Sequence, residues 1–236
     1  MKTTLRFLAP VAALFAACLL QAADSKPTTR VIAIQEVETD DATGYAAWLA
    51  KSNDVIKAKL GIDNFYHVFV TSYDGRRSGT VRSVTAAESA AAFAKISAAL
   101  QDDPALRDIR DHVRGIRKLG SRVLYFAARY DGTYPGSYVF TTLATVSDEA
   151  GYLKALDGLR AMFDANGFQD AKINAFRVMA GRTSHTHRVS ISLPSNERLA
   201  AFLDFAATSA SMAEWQAGAA KVRTVVSNFT AHDITK

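Results

Sequence analysis

The chain has 236 residues, of which 49% are hydrophobic, and it carries a formal net charge of +5 at pH 7. Such a composition is ordinary for a globular protein. Its basic residues are scattered among acidic ones and form no block with interleaved aromatics, so the composition gives no case for nucleic-acid binding.

The first 23 residues predict a secretory signal peptide. Lys2 and Arg6 precede a continuous apolar run over 7–20, and the small residues that follow favour cleavage after Ala23. The run is shorter than the roughly 18 to 20 residues of a membrane-spanning helix, and no later stretch comes close. We expect a soluble exported protein, periplasmic or secreted from a bacterium. Cleavage leaves 26 basic against 23 acidic residues, which lowers the net charge to +3.

Cys18 is the only cysteine and falls inside the predicted signal peptide. The mature chain would then have no thiol, no disulfide and no cysteine-ligated metal. An alternative is that "FAAC" at 15–18 is a lipoprotein processing box that leaves Cys18 lipidated. Phe15 stands where such boxes usually have leucine, so simple cleavage is favoured.

Three separated stretches repeat in the same order along the chain. "DDATGYAAWLA" at 40–50 aligns with "SDEAGYLKALD" at 147–157, "GRRSGTVR" at 75–82 with "GRTSHTHR" at 181–188, and "AAFAKI" at 91–96 with "AAFLDF" at 200–205. Collinear matches with small shifts indicate a tandem duplication of roughly 105 residues. We therefore expect a first repeat at 24–130, a linker at 131–136 and a second repeat at 137–236.

Both repeats predict the same order of elements. The first has a β-branched strand at 30–37, a helix that ends before Gly61, a hairpin of 64–75 and 79–86, a helix from Ala87, a further helical stretch after Pro104, and a strand at 122–130. The second has strands at 137–146, 172–179, 186–193 and 223–231, with helices at 148–165 and 195–209 and a helical turn at 213–220. The order is βαββαβ, which describes a ferredoxin-like unit with helices on one face of its sheet.

Two such units in one chain can cover each other sheet to sheet. In this arrangement, and in "EWQ" at 214–216 before the last strand, the sequence resembles the dimeric α+β barrel superfamily in a fused form. That superfamily includes antibiotic biosynthesis monooxygenases, NIPSNAP-like proteins and haem-degrading monooxygenases. The resemblance implies an α+β fold of two tandem ferredoxin-like repeats in an intramolecular barrel, and it implies no particular reaction. A monomer is plausible because the repeat supplies the dimer, but the oligomeric state stays open.

Strand alternation suggests which residues face the barrel interior. In the first hairpin strand, Phe65, His67, Phe69, Thr71 and Tyr73 share one face, and their counterparts in the second repeat are Ile173, Ala175, Arg177 and Met179. Arg82 and Arg188 occupy equivalent positions, although their face is open. The predicted ligand-binding residues are His67, Phe69, Tyr73, Arg82, Arg177 and Arg188, which suit a small anionic or aromatic molecule. Alternatively, the arginines lie at the rim or in solvent and the aromatics only fill space.

His185 and His187 point to one side of a strand and raise the question of a metal site. A transition-metal site needs three or four ligands, and no further ligand lies close by in the sequence. We predict no metal and no cofactor, with an exposed hairpin strand as the explanation of the pair. Nothing singles out a histidine as an axial haem ligand.

The sequence leaves three functions open. The mature chain has no nucleophile elbow, phosphate-binding glycine loop or Cys/His pair. The favoured hypothesis is binding of a small anionic or aromatic molecule in or near the barrel. The alternatives are a cofactor-independent monooxygenase-like enzyme acting on a small aromatic substrate, which only the resemblance implies, and a structural or interaction protein with a plugged barrel. Whether the chain is an enzyme stays open.

Overall fold

The computed structural model describes residues 30–74 and 79–235, so the predicted signal peptide and Cys18 lie outside the described residues. The described strands are β1 Val31–Glu38, β2 Tyr66–Ser72, β3 Val81–Ala87, β4 Lys118–Tyr130, β5 Tyr138–Val146, β6 Lys172–Ala180, β7 His187–Leu193 and β8 Arg223–Asp233. The described helices are α1 Ala42–Leu60, α2 Ala90–Asp102, α3 Pro104–Gly115, α4 Glu149–Ala165, α5 Asn196–Thr208 and α6 Ala210–Ala219. None of these helices is both long and apolar enough to cross a lipid bilayer.

The strands close into one barrel in the order β1-β3-β2-β8-β5-β7-β6-β4. Each half contributes four neighbouring strands, with its first strand between its third and fourth, as in a ferredoxin-like unit. The antiparallel pairs β2–β8 and β4–β6 join the two halves. The predicted fold class, two tandem ferredoxin-like repeats in an intramolecular α+β barrel, is confirmed.

The helices cover the outer face of the barrel. In the first half, Tyr45 and Leu49 of α1 pack on Val68 and Val81. In the second half, a larger cluster joins α4 and α5 to β6 and β7, and its members include Leu156, Phe163, Phe202, Ile173 and Val189. Each fully buried apolar side chain of this kind stabilises the fold by about 1.5–3 kcal/mol. Because strand side chains alternate, the residues between these positions face the barrel interior, or lumen.

The repeated Gly-Tyr pair belongs to this packing. Asp41 caps α1 by accepting a hydrogen bond from the Gly44 backbone N–H at 2.8 Å, and Asp148 caps α4 in the same way through Gly151 at 3.0 Å. A Cβ at Gly44 would collide with the Asp41 carboxylate. A side chain at this position would therefore displace the carboxylate that caps the helix.

In each half, a tyrosine of the first helix is hydrogen-bonded to an arginine at the start of the last strand, Arg223 in β8, or directly before it, Arg117 before β4. Arg117 Nη1 donates to Tyr45 Oη at 2.7 Å, and Arg223 Nη1 donates to Tyr152 Oη at 2.6 Å. Both tyrosines are almost completely buried. The two ties occupy corresponding places in the two halves, so they are part of the duplicated architecture.

Candidate functional site

The structure resolves the face on which the repeated arginines lie. Val81 and Val189 pack under the helices, so their neighbours Arg82 and Arg188 point into the lumen. Both guanidinium groups lie near the ring of Phe229 on β8, with Cζ-to-centroid distances of 4.3 Å for Arg82 and 5.5 Å for Arg188. The lumen therefore holds two cations beside one aromatic ring.

One end of the barrel contains a cavity of about 680 Å³. It opens where β1 begins and where β4 and β8 end, beside the 131–136 linker. Toward the other end of the lumen, Leu143 and Phe229 are buried in a small cluster. The barrel is thus neither hollow throughout nor completely plugged. The inner walls of the cavity include His67, Phe69, Phe176, Arg188, Ser192 and Asp233.

Arg188 reaches into this cavity with hydroxyl groups as its hydrogen-bond partners. Its Nε donates to Ser190 Oγ at 3.2 Å and its Nη2 donates to Thr141 Oγ1 at 3.2 Å. No carboxylate of residues 30–74 or 79–235 forms a salt bridge with it. Burial lowers the pKa of Arg188 to about 10, an effect that Tyr125 opposes and the like charge of Arg82 reinforces. Arg188 remains a cation at neutral pH, in surroundings that disfavour its charge.

Arg82 is at the equivalent position of the first half but has acidic partners. Its Nη2 donates to Asp74 Oδ2 at 3.2 Å and lies 3.7 Å from Glu36 Oε1. Its Nη1 is buried and has no hydrogen-bond partner among the described residues. Arg82 does not line the cavity. The two arginines, which the sequence predicted to be equivalent ligand-binding residues, therefore have different environments in the structure.

The difference follows from the residues opposite each arginine. Arg82 is paired with Glu36 in the β1–β3 ladder, whereas Arg188 is paired with Leu143 in the β5–β7 ladder. The second half has the same arginine, but Leu143 stands in place of Glu36, and the repeat alignment places Ala180 where the first half has Asp74. A buried cation without an ion partner is costly, so the charge of Arg188, unlike that of Arg82, is uncompensated among the described residues.

His67 and Asp233 form a hydrogen-bonded pair at the open end of the cavity. His67 Nδ1 lies 3.0 Å from Asp233 Oδ2. Asp233 is buried, with an exposed fraction of 3%, whereas 23% of the His67 side chain is exposed. With Asp233 ionised, Nδ1 of the neutral imidazole carries the hydrogen and Nε2 carries the lone pair. His67 Nε2 has no partner among the described residues and is the nitrogen free to meet a ligand.

Two aromatic residues occupy equivalent places on the cavity wall. Phe69 lies opposite Arg82 on β2, and Phe176 lies opposite Arg188 on β6. Phe69 was predicted from the sequence but Phe176 was not, because the predicted alignment of the second strand is one residue out of register. The repeat itself held the signal, since "HVF" at 67–69 and "NAF" at 174–176 stand 107 positions apart. Asp233 and Ser192, which line the same cavity, were also not predicted.

Two predicted ligand-binding residues lie outside the barrel. Tyr73 follows the end of β2 with a φ of 52° and is 81% exposed. Arg177 points outward, and its Nη1 donates to Glu149 Oε2 at 3.2 Å. Arg177 was predicted to face the lumen because the strand was aligned one residue out of register. Phe176 takes the inward position instead. The same register error placed Ile173 and Ala175 on the lumen face, whereas both are buried under the helices.

The prediction that His185 and His187 lie on an exposed strand is wrong, because both are buried. Tyr125 Oη is hydrogen-bonded to His185 Nε2 at 2.9 Å, and Thr183 Oγ1 contacts Nδ1. Burial lowers the pKa of His185 to about 4, with smaller contributions from Arg188 and His187. Across residues 30–74 and 79–235, no three His, Cys, Asp or Glu residues group in a way that could hold a metal ion.

No protein-family model and no curated protein matches the chain. Solved structures do match: a candidate monooxygenase from Lactobacillus acidophilus NCFM superposes with a TM-score of 0.55 at 10% identity, over 87% of this chain and 93% of that one. An anthrone oxidase-like protein superposes with a TM-score of 0.52 at 13% identity, over 89% of this chain and 92% of that one. A haem-binding protein from Thermus thermophilus superposes with a TM-score of 0.51 at 8% identity, over 88% of this chain and 94% of that one. Such low identities bear on the fold alone. The chain has the fold of the dimeric α+β barrel superfamily, with both ferredoxin-like units supplied by one polypeptide.

Proposed function

We propose that this protein binds a small anionic aromatic molecule in the barrel cavity, with the anionic group on Arg188. The observation that carries the proposal is the environment of Arg188, whose guanidinium lines a cavity and is hydrogen-bonded to Ser190 and Thr141 without a carboxylate. A carboxylate or phenolate would supply the missing charge through a bidentate contact. Arg82 needs no such ligand because Glu36 and Asp74 lie beside it.

The rest of the cavity suits such a ligand. Phe69 and Phe176 provide aromatic walls, and Ser192 Oγ is a buried hydroxyl that has no partner among the described residues. A volume of about 680 Å³ lies within the range of small-molecule sites, which are mostly apolar with a few polar groups that fix orientation. The aromatic ring of the ligand would therefore contact Phe69 and Phe176, and its anionic group would bind Arg188 in the same cavity.

Mass spectrometry of the protein purified from its native source tests the proposal. The native mass should exceed the denatured mass by a few hundred daltons, on the order expected for a drug-sized ligand. Arg188→Met should lose the extra mass, whereas Arg82→Met, its equivalent in the other half, should retain it. Equal masses in both conditions, together with no binding of added aromatic carboxylates, would contradict the proposal.

We also propose that the chain is exported, and the same denatured mass tests this. Cleavage after Ala23 would give a chain that begins at Asp24, as the layout of the first 23 residues predicts. A lipid on Cys18 would instead support the lipoprotein alternative. An unprocessed chain with Met1 present would overturn both predictions.

A second candidate function is that of a cofactor-independent monooxygenase. Its support is the fold shared with the candidate monooxygenase and the anthrone oxidase-like protein, together with the aromatic-lined cavity. Such an enzyme would need a substrate that itself reacts with oxygen. Oxygen consumption with an anthrone as substrate would support this candidate if it depends on Arg188. No consumption above the buffer rate would count against it while leaving binding intact.

A further inference from the structure

We infer that the cavity is also a proton-transfer site, in which His67 acts as a general base, Asp233 positions it, and Arg188 holds the anionic group of the substrate. The inference rests on the proposed binding function and adds a reaction to it. The substrate class is a small 2-oxo carboxylate with an acidic C–H bond beside its carbonyl. The three residues line one cavity.

The Asp233 carboxylate fixes the orientation of the His67 ring, and hydrogen bonds to the backbone hold Asp233 in turn. Asp233 Oδ2 is 3.0 Å from His67 Nδ1, and Asp233 Oδ1 accepts the backbone N–H of Thr235 at 3.0 Å. The backbone N–H of Asp233 donates to Ser137 O at 2.9 Å. This arrangement holds the imidazole in the tautomer that leaves Nε2 as the acceptor, which a general base requires.

The duplication shows that closing the barrel does not require this pair. Asn174 holds the corresponding place in the second half, opposite Ser190, as His67 is opposite Val84. Its side chain is engaged with the backbone of Asp131 and Gly132. The β4–β6 junction therefore closes without an imidazole–carboxylate pair, whereas the β2–β8 junction carries one facing a cavity. The asymmetry favours a chemical role over a structural one.

The reaction that this geometry supports is balanced without a cofactor or an oxidant. His67 Nε2 takes a proton from the carbon beside the carbonyl, so the C–H bond breaks and an N–H bond forms. The electron pair moves onto the carbonyl oxygen as an enolate, to which the Ser192 hydroxyl can donate. The imidazolium then returns the proton to the carbon or to the enolate oxygen, which gives exchange or enolisation. Arg188 holds the carboxylate throughout.

Phenylpyruvate in deuterated water is a suitable probe, because it has an aromatic ring, a carboxylate and exchangeable protons beside its carbonyl. The wild-type protein should accelerate loss of the benzylic proton signal in NMR spectra. His67→Gln should slow the catalysed exchange at least about a hundredfold, the usual contribution of a general base. Added imidazole should restore part of the rate to His67→Ala, an effect that a purely structural role would not produce.

Asp233→Asn tests the positioning role with little change in shape. The amide oxygen can still accept from Thr235, but the amide N–H₂ would face His67 Nδ1 and force the ring hydrogen onto Nε2. Exchange should fall at least about a hundredfold while the affinity for phenylpyruvate, measured by calorimetry, stays within about twofold. His232→Gln is the matched control, because His232 neighbours Asp233 but stacks on Tyr138 and should leave exchange unchanged.

Binding of phenylpyruvate without accelerated exchange would overturn the proton-transfer inference and leave the binding proposal standing. No binding of phenylpyruvate would overturn the inference together with its premise. A Soret shift on addition of haemin that disappears in His67→Gln would make His67 an axial ligand and would also overturn its assignment as a base.

Discussion

Arg188 lies directly opposite Leu143 in the β5–β7 ladder, at the place where the first half of the barrel pairs Arg82 with Glu36. The two halves share strand order, register and arginine, yet only the first supplies a carboxylate. Arg82 is therefore compensated by Glu36 and Asp74, whereas Arg188 is a buried cation without an acidic partner among the described residues. The cavity opens on the side to which the Arg188 guanidinium turns, toward Thr141 and Ser190.

We predict that Arg188→Met raises stability in the absence of ligand. Replacing an uncompensated buried charge with an apolar side chain of similar length should increase the free energy of unfolding by about 1–3 kcal/mol. Arg82→Met should instead lower it, because Glu36 and Asp74 lose a cationic partner. Urea denaturation at neutral pH measures both values. Changes of the same sign would contradict the different environments assigned to the two arginines.

Phe229→Ala should be among the most destabilising substitutions in the lumen. Phe229 is buried, packs on Leu143 and Ala231, and lies beside both arginines. Its truncation should cost about 3–5 kcal/mol through a new void and the lost ring contacts. Val225→Ala, on the same strand but 44% exposed, is the control and should change stability by no more than about 0.5 kcal/mol. A similar effect of both variants would show that Phe229 is not a packing centre.

His185 should make stability depend on pH on the acidic side of neutrality. Its pKa in the fold is about 4 against an ordinary 6.5, so the unfolded chain binds a proton first as the pH falls. The contribution of the neutral imidazole is fully present above pH 6.5 and is lost progressively down to about pH 4. His185→Gln keeps an acceptor for Tyr125 and removes the titration. Its melting temperature should therefore fall less steeply than that of the wild type over this interval, and identical slopes would refute the prediction.

The two tyrosine–arginine hydrogen bonds should make similar contributions to the free energy of unfolding. Tyr45→Phe and Tyr152→Phe each remove one hydrogen bond to a guanidinium and should cost about 1–2 kcal/mol. Double-mutant cycles with Arg117→Met and Arg223→Met should give coupling energies of similar size, since the two contacts are 2.7 and 2.6 Å long. A coupling energy near zero for either pair would mean that the tie in that half contributes packing alone.

Strand and helix order was predictable from the sequence because it is expressed locally. The β-branched run of β1, the stop at Gly61 and the Pro104 that opens α3 each act on their own neighbours. Repeated anchors such as Gly44 and Gly151 then located the second copy of the fold. The start of β4 at Lys118 was not predictable in this way, since the distant Gln35 side chain binds the carbonyls of Gly120 and Ser121.

The site was only partly predictable, because it depends on register and on contacts between the halves. His67 and Phe69 were found from alternation within a strand, and Arg188 was found from its equivalence to Arg82 in the repeat. Arg177 was misplaced because a shift of one residue exchanges the two faces of a strand. Asp233 could not be associated with His67 before the β2–β8 pairing was known, since the two stand 166 residues apart.

Calorimetric titration of the purified protein with phenylpyruvate tests whether Arg188 binds the anionic group of a ligand in the cavity. We predict that Arg188→Met weakens binding by about ten- to a hundredfold, the loss expected for a charge-assisted hydrogen bond in a cavity. Arg177→Met, which removes an exposed cation outside the barrel, should bind like the wild type. Undiminished binding by Arg188→Met, or equal losses in the two variants, would contradict the assignment of Arg188 as the anion site.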